Sequence, residues 1–349
     1  MKTEYIELNE NQIDSGVIRR AGEILRGGGL VAFPTETVYG LGGDALNPES
    51  SRKIYAAKGR PQDNPLIVHI CRMEDLAPIT EEIPAAGYAL AKAFWPGPLT
   101  MIFHKSILVP TETTGGLSTV AVRFPSNKIA AELIRAAGGY IAAPSANASG
   151  RPSPTLGRHC LEDLDGKVEM ILDGGPVGIG LESTIIDLTS EVPTILRPGY
   201  VTQEMLEKVL GTVEVDRTIL GEETNLPPKA PGMKYRHYAP RGELVIVEGR
   251  QEKVIQYINH ACEDYAARGF KTGVICTDET AQQYRADLVR SAGSRDDEES
   301  IARCLFRILR EFDEEEAQFM FSESFDRAGI GQAVMNRLMK AAGHRVVQV

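Results

Sequence analysis

The strand-like segments in the first 200 residues outnumber the helices that the chain between them has room to form. Strand patterns occur close together at residues 99–103 and 119–124, and again at 168–172, 183–188 and 194–197. A parallel pair of strands needs a crossover connection, usually a helix, and these two stretches lack room for one at every step. The sequence therefore predicts an α/β fold with a mixed, twisted sheet and helices packed against it.

The other apolar patterns in this part of the chain predict short buried strands and amphipathic helices. Proline and glycine mark their ends, as at the Asn47-Pro48 helix start and at Gly27, which ends the first helix. Further strands are predicted at residues 30–33, 66–70 and 140–143, and helices at residues 17–25, 48–57, 84–94, 127–137 and 202–210.

The chain changes character after residue 210. Residues 226–240 carry four prolines and two tyrosines, which predicts a stiff, extended linker over residues 211–241. Residues 1–210 would form the first domain, and the alternating strands and helices of residues 242–349 predict a smaller, Rossmann-like α/β domain with an open parallel sheet. Its strands are predicted at residues 243–247, 273–276 and 318–321, and its main helices at 252–268, around 301–309 and at 331–342.

The charge balance disfavours one class of partner. The chain has 38 basic and 48 acidic side chains, a net charge of −10. Proteins that grip a nucleic-acid backbone usually show a basic excess or stripe, so we expect no stable nucleic-acid binding. A small anionic ligand held by a few placed arginines and lysines remains compatible with this composition.

The sequence lacks the motifs of several familiar sites. It contains no G-x-x-x-x-G-K-[ST] pattern, which excludes a P-loop NTPase. The five cysteines are widely spaced and the histidines form no H-E-x-x-H pattern, so we expect no metal held by protein side chains. No apolar run approaches the ~18 residues of a membrane span, and the polar N-terminus lacks the apolar core of a secretory signal. We therefore expect a cytoplasmic protein without a membrane partner.

The chemically informative residues are polar side chains in turns at strand ends. Residues 34–41 follow the first strand, residues 58–61 follow a long helix, and Arg123 lies in an otherwise apolar strand. Burying an unpaired charge is costly, so Arg123 needs a partner or a ligand. Because open α/β sheets bind ligands at strand ends, these groups predict a cationic, hydroxyl-rich rim suited to phosphates and carboxylates.

Seven short segments stand in order along the chain. They are Pro-Thr-Glu-Thr-Val-Tyr-Gly-Leu from residue 34, Lys-Gly-Arg-Pro from 58, Asn-Pro-Leu-Ile-Val-His from 64, Trp-Pro-Gly-Pro-Leu-Thr from 95, Val-Arg-Phe-Pro from 122, Pro-Ser-Ala-Asn-x-Ser-Gly from 144 and Ser-Thr-Ile-Ile-Asp from 183. With them, the chain resembles the YrdC-type threonylcarbamoyl-AMP synthases over about residues 15–205. The segment Pro-Gly-Met-Lys-Tyr-Arg-His-Tyr-Ala-Pro from residue 231 and the second domain make it similar to the longer, two-domain type.

The resemblance implies a nucleotidyl transfer. L-Threonine, bicarbonate and ATP would give L-threonylcarbamoyladenylate and pyrophosphate, the first step of the N6-threonylcarbamoyladenosine modification of tRNA. Mg²⁺ would be carried on the ATP phosphates. Other proteins, the threonylcarbamoyl-transferases, would then pass the group to tRNA. Catalysis would be placement and charge neutralisation, since the reaction requires no protein nucleophile.

The resemblance also assigns residues to each substrate. Arg123 would be the partner of the threonine carboxylate, and Tyr238 in the linker would cover the nucleotide as the linker closes over the active site. The threonine set implied is Thr35 or Thr37, His69, Arg123, Ala143 and Ser183. The ATP set implied is Lys58, Arg60, Asn64, Thr119, Ser145, Asn147, Ser153, Arg197 and Tyr238.

Two alternative functions would use the same cationic, hydroxyl-rich rim. The first domain could be an RNA-binding module, although the acidic balance and the absence of an aromatic-basic stripe count against it. A carbamoyltransferase accessory domain of the kind that resembles this fold in hydrogenase maturation would need zinc-finger and acylphosphatase modules, which the sequence does not contain.

Overall fold

The computed structural model describes residues 2–216, 219 and 238–349. The described chain divides into two compact units. The N-terminal unit comprises residues 2–149, 153–178 and 182–216, and the C-terminal unit comprises residues 150–152, 179–181 and 238–349. Most of the predicted linker lies outside the described residues, so the three predicted domain bounds stay predictions.

The N-terminal unit is built on one mixed sheet, as the sequence predicts. Five of its strand pairs are parallel and five antiparallel, in the order β1-β8-β2-β3-β7-β4-β6-β5-β9-β10-β11. The strands are β1 (Glu4–Glu7), β2 (Val31–Phe33), β3 (Gly40–Asp44), β4 (Ile67–His69), β5 (Leu99–His104), β6 (Thr119–Arg123), β7 (Ile141–Ala142), β8 (Met170–Asp173), β9 (Thr184–Asp187), β10 (Thr194–Arg197) and β11 (Glu214–Val215). The helices are α1 (Ser15–Arg26), α2 (Pro48–Lys58), α3 (Ala85–Phe94), α4 (Lys128–Ala136), α5 (Gly157–Leu164) and α6 (Gln203–Leu210).

Helix α2 shows how local chemistry sets the ends of these elements. The Asn47 side chain accepts a hydrogen bond from the Glu49 amide at 3.0 Å, and Pro48 fills the first helical position. Gly59 ends the helix in a left-handed conformation, φ 62°, which an L side chain rarely adopts. The helix therefore stops where the chain must turn, immediately after Lys58.

Apolar side chains cover both faces of the N-terminal sheet. Residues alternate along β2, so Val31 and Phe33 belong to one buried cluster and Ala32 to another. Leu25 of α1 and Leu133 of α4 pack in the first cluster. The second cluster contains residues of the remaining N-terminal helices and of the central strands: Ile54, Leu90, Leu164, Leu206, Val68 and Val122. Burial on both faces fixes the register, because a one-residue slip would exchange the two faces.

The C-terminal unit contains the predicted open parallel sheet. Its strands are β12 (Glu243–Glu248), β13 (Thr272–Cys276), β14 (Leu288–Ser291), β15 (Phe319–Glu323) and β16 (Val346–Gln348), and its helices are α7 (Gln251–Ala267), α8 (Glu298–Glu314) and α9 (Gly331–Ala341). All pairs are parallel, in the order β14-β13-β15-β12-β16. Strand β15 lies between β12 and β13, whereas the first two strands of a dinucleotide-binding fold are adjacent.

Some strands carry no pattern that predicts them. Strand β3 is Gly-Leu-Gly-Gly-Asp, a composition that disfavours strands. It forms because its neighbours approach closely: a Cβ at Gly42 would lie 2.9 Å from Ile141 and 3.0 Å from the Phe33 ring. Tertiary packing therefore overrides local propensity there. The short outer strands β1, β11, β14 and β16 and the helix α5 were likewise not predicted.

No helix among the described residues is both long and apolar enough to cross a membrane.

Candidate functional site

The register of the central strands brings four predicted or neighbouring polar residues into one row. Strands β4 and β6 are parallel with His69 opposite Arg123, and β5 is antiparallel to β6 with Thr100 opposite Arg123. The Thr100 hydroxyl lies 2.7 Å from the Ser183 hydroxyl, just before β9. His69, Arg123 and Ser183 of the predicted threonine set are therefore neighbours at one end of the sheet.

Arg123 is buried, and its guanidinium faces the turn after β2. Its Nη1 donates to the Thr37 hydroxyl at 2.8 Å, and its Nη2 forms an ion pair with Glu36 at 2.7 Å. Within the described part of the chain, neither Nε nor Nη2 makes a hydrogen bond, and neither Glu36 carboxylate oxygen accepts one. The Nε–Nη2 edge is the one that binds a carboxylate through two parallel hydrogen bonds. That edge can therefore take a carboxylate from a ligand.

The turn that carries Glu36 and Thr37 is held by its own hydroxyl groups. The Thr35 hydroxyl donates to the Val38 carbonyl at 2.6 Å and lies 2.9 Å from the Thr37 hydroxyl. Tyr39 anchors the end of the turn, because its hydroxyl donates to Asp173 at 2.7 Å. Burial, and to a smaller extent the negative charge of Asp173, raise the pKa of Tyr39, so this phenol keeps its proton. The two predicted hydroxyls are thus fixed beside Arg123.

His69 is a neutral imidazole in this site. Burial lowers its pKa from 6.5 to about 3, and the positive charge of Arg123 acts in the same direction. Its Nδ1 lies 3.1 Å from the Ile67 carbonyl, which fixes the proton on that nitrogen and leaves Nε2 as an acceptor. His69 can therefore hydrogen-bond a substrate hydroxyl but adds no charge near neutral pH.

Replacing His69 by glutamine should flatten the pH dependence of stability. The pKa of His69 is lower in the folded chain, so the unfolded chain binds the proton more readily. The contribution of His69 is thus present above pH 6.5 and lost as the pH falls toward 3, with a slope of up to about 1.4 kcal/mol per pH unit. Urea unfolding between pH 4.5 and 6.5 measures it. Equal slopes for the wild type and His69→Gln contradict this account.

Ser183 and Arg197 form a second buried pair. Arg197 donates from Nε and Nη2 to the Ser183 carbonyl at 3.0 and 2.9 Å, and from Nη2 to the Ser183 hydroxyl at 3.1 Å. Arg197 therefore orients the Ser183 hydroxyl as well as adding positive charge. Ala143 is also buried, and its amide donates to the Ile67 carbonyl at 2.9 Å, which places it beside β4.

Lys58 organises the turn after β7. Its ammonium donates to the Ser145 carbonyl at 2.5 Å and to the Asn147 carbonyl, and the residue is 4% exposed. The Ser145 hydroxyl donates to the Asn147 side chain at 2.5 Å. Three residues of the predicted ATP set are therefore in contact, although Lys58 is separated from the other two by almost 90 residues of chain.

Arg60, Asn64 and Thr119 lie near the start of β4. Arg60 donates to the Asn64 carbonyl at 3.1 Å, to the Asn64 side chain at 2.6 Å and to the Pro65 carbonyl at 3.0 Å. Thr119 begins β6, four residues and about 13 Å from Arg123. The β4–β6 register places it toward Asn64. Asn64 and Thr119 of the predicted ATP set therefore lie toward the opposite end of β6 from Arg123, whereas Arg197 of that set contacts Ser183 of the threonine set.

Ser153 and Tyr238, the remaining residues of the predicted ATP set, contact other protein side chains. The Ser153 hydroxyl donates to the Glu182 carboxylate at 2.5 Å, and both side chains are buried. Tyr238 is 5% exposed and belongs to the C-terminal unit, where its ring lies 5.0 Å from that of Phe306. The role of Tyr238 as a cover over the nucleotide stays a prediction.

Sequence reasoning did not assign Glu36 or Glu182. Both residues lie inside the motifs or directly beside them, in Pro-Thr-Glu-Thr and before Ser-Thr-Ile-Ile-Asp. The signal that points to Glu36 is the pairing rule for buried charge, because a buried arginine calls for a nearby carboxylate.

Among the described residues, no group of three or more His, Cys, Asp or Glu side chains is arranged to hold a metal ion.

Comparison with known proteins gives family matches over nearly the whole chain. The Sua5/YciO/YrdC family model, described as telomere recombination, matches residues 23–199. The model described as the C-terminal domain of threonylcarbamoyl-AMP synthase matches residues 201–343.

Two curated relatives align along almost their full length. The threonylcarbamoyl-AMP synthase of Bacillus subtilis is 47% identical, covering 99% of this chain and 97% of its own. That of Pyrococcus abyssi is 48% identical, covering 97% of both. The crystal structure of P. abyssi Sua5 complexed with L-threonine superposes with a TM-score of 0.94 and covers 99% of this chain and 100% of that one, at 48% identity.

Proposed function

This chain belongs to the threonylcarbamoyl-AMP synthase family, and we propose that its site joins L-threonine, bicarbonate and ATP into L-threonylcarbamoyladenylate. The enzyme is of the nucleotidyltransferase type and acts at the first step of threonylcarbamoyladenosine formation in tRNA. The observation that carries the threonine assignment is the buried Arg123, whose Nε–Nη2 edge makes no hydrogen bond to any described residue.

We propose that the threonine set surrounds that edge. We assign the carboxylate of L-threonine to Arg123, and its side-chain hydroxyl to the neutral His69 and to Ser183, both of which lie in the same row of the sheet. The hydroxyls of Thr35 and Thr37 lie beside the guanidinium, and Ala143 completes the proposed threonine set. The P. abyssi relative carries L-threonine in its crystal structure, which supports the same ligand here.

Arg60, Asn64 and Thr119 of the ATP set lie toward the other end of β6. Lys58 fixes the turn that carries Ser145 and Asn147, and Arg60 fixes Asn64, so these polar groups are already oriented before ATP binds. Thr119, Ser153, Arg197 and Tyr238 complete the proposed set. Mg²⁺ would accompany the phosphates of ATP, and no step below depends on it.

The chemistry follows from placement. The amine of threonine attacks bicarbonate to give a carbamate and water. The carbamate oxygen then attacks the α-phosphorus of ATP, and pyrophosphate leaves. Fixed cations and oriented hydroxyls would stabilise the charge that develops on the phosphates without reorganisation, which is the largest catalytic effect open to such a site.

The RNA-binding alternative does not fit the burial of the cations. Lys58, Arg123 and Arg197 are 4%, 4% and 6% exposed as whole residues. Cations that bind a nucleic-acid backbone must reach its phosphates at the protein surface. These three can meet only a small ligand that enters the site.

One incubation tests the proposed function. Pure protein is mixed with ATP, labelled bicarbonate and each amino acid in turn, and the products are separated. We expect a labelled adenylate and an equal amount of pyrophosphate with L-threonine. Reactions without ATP or without an amino acid are the controls. Label that appears with no amino acid, or pyrophosphate without labelled adenylate, contradicts the proposal.

The linker is proposed to close over the nucleotide. Residues 217, 218 and 220–237 lie outside the described residues, so the argument rests on composition: prolines reduce the entropy lost when a segment docks. We expect residues 226–240 to gain hydrogen-exchange protection with ATP plus threonine, and Tyr238→Ala to weaken nucleotide retention more than threonine binding. Equal protection in both states identifies the segment as a spacer.

The proposed partners are the substrates and the threonylcarbamoyl-transferases that consume the adenylate. Placement in the cytoplasm stays a prediction from the sequence.

A further inference from the structure

Glu36 stands beside Arg123 without filling its carboxylate-binding edge. The Oε1 atom lies 2.7 Å from Nη2, yet neither Glu36 oxygen accepts a hydrogen bond from the described chain and neither Nε nor Nη2 donates one. The Glu36 side chain is 14% exposed and the Arg123 side chain 5%. Charge alone therefore holds the pair together, while Nη1 is bound to Thr37 and the capacity of Nε, Nη2 and both Glu36 oxygens is not used within the described chain.

Unused capacity on both members of a buried pair is costly. A buried polar atom without a hydrogen bond costs about 1–3 kcal/mol, and more when it is charged. Atoms of this kind persist where a ligand supplies the missing partners. The missing partners are an acceptor for Nε and Nη2 and a donor for the two Glu36 oxygens. The ligand must therefore bring both an anion and a cationic or neutral donor.

An α-amino acid meets this requirement. It carries a carboxylate and an ammonium on the same carbon, so its negative end can lie on Arg123 while its positive end lies on Glu36. The other groups of the row add no charge of their own: the hydroxyls of Thr35 and Thr37 are neutral, and His69 is neutral near pH 7. The Arg123–Glu36 pair and the bound zwitterion then each carry no net charge, and each charge of the ligand faces the opposite charge of the pair.

We infer that Glu36 binds the ammonium of the amino-acid substrate and makes the site selective for a zwitterion. The inference rests on the proposed threonine site, to which it adds a residue and a mechanism of selection.

Glu36 also gives the site a way to reject other anions. A lone buried arginine attracts any carboxylate or phosphate, including those of ATP. An anion that binds Arg123 without a cation of its own is placed against the Glu36 carboxylate, and like charges at that distance repel. Specificity commonly depends on such a repulsive element as well as on attraction.

The test compares threonine with (R)-3-hydroxybutanoate, which is threonine without its amine. Calorimetric binding is measured without ATP for the wild type and for Glu36→Gln, an uncharged side chain of nearly the same shape. We expect the wild type to prefer threonine strongly, and the preference to shrink about 10- to 100-fold in Glu36→Gln, through weaker threonine binding. Glu132→Gln, which breaks the exposed ion pair with Arg135, is the matched control and should leave the preference unchanged.

Two results for Glu36→Gln would contradict the inference. If Glu36→Gln binds threonine more tightly, Glu36 competes for the Arg123 edge and the inference is wrong. An unchanged preference overturns it as well. Should Glu36→Gln fail to fold, the wild type alone decides, because equal affinity for threonine and for (R)-3-hydroxybutanoate excludes an ammonium-binding residue. A wild type that binds no threonine refutes the proposed function itself, which is a distinguishable outcome.

Discussion

Replacing Arg123 by alanine should lower the affinity for L-threonine by at least about 30-fold. Truncating one partner of a buried, hydrogen-bonded charge pair costs about 2–5 kcal/mol, and Arg123 is the proposed partner of the substrate carboxylate. ATP binding should change little, because Arg60, Asn64 and Thr119 of the proposed ATP set lie toward the other end of β6 and Arg197 donates to Ser183 rather than to Arg123. Calorimetric titration with threonine and, separately, with ATP measures both effects.

The same substitution has a second effect that the structure makes visible. It leaves the Glu36 carboxylate buried without its cation, and breaking a buried pair in this way costs about 3–5 kcal/mol of stability. The double variant Arg123→Ala/Glu36→Gln removes that burial penalty and should recover stability without recovering threonine affinity. Arg135→Ala, at an exposed ion pair, is the control. Threonine affinity within about threefold of wild type in the folded double variant refutes the Arg123 assignment.

Short-range signals in the sequence predicted most of the helices and the mixed character of the N-terminal sheet. Helix α2 begins at its Asn-Pro cap and ends at a glycine, and the mixed sheet follows from connections too short for crossover helices. These features depend on residues that are close together in the chain. Strand β3 shows the limit of short-range signals. Its glycine-rich sequence forms a strand only because Phe33, across a turn, and Ile141, distant in the chain, pack closely against it.

In the candidate site, too, short-range signals predicted some contacts and not others. An arginine in an apolar strand predicted that Arg123 meets a partner or ligand, and both Glu36 and the unused edge agree with that reasoning. No spacing rule predicted that the Lys58 ammonium would reach carbonyl groups 87 and 89 residues away. Such contacts depend on how whole strands are ordered in the sheet, so they entered the sequence analysis only through the family resemblance.

Replacing Lys58 by methionine should abolish most of the synthase activity, with a loss of at least about 100-fold in the rate of pyrophosphate release. Methionine keeps much of the volume of the buried stem but removes the ammonium donor from the Ser145 and Asn147 carbonyls. Each loss of a hydrogen bond to a charged group costs about 1.5–3 kcal/mol. The turn then loses the geometry that orients the Ser145 and Asn147 side chains, which we propose contact ATP.

The effect should fall on ATP rather than on threonine, since Arg123 and Ser183 do not contact this turn through any hydrogen bond described above. Calorimetric titration should therefore show weakened ATP binding and near-normal threonine binding. The loss of two such hydrogen bonds should lower the free energy of unfolding by about 3–6 kcal/mol. Lys53→Met is the matched control, because Lys53 lies on the same helix, is exposed and donates to a single carbonyl, that of Gly28, at 2.6 Å. Activity of Lys58→Met equal to that of Lys53→Met would mean that the ammonium neither orients the turn nor contributes to nucleotide binding.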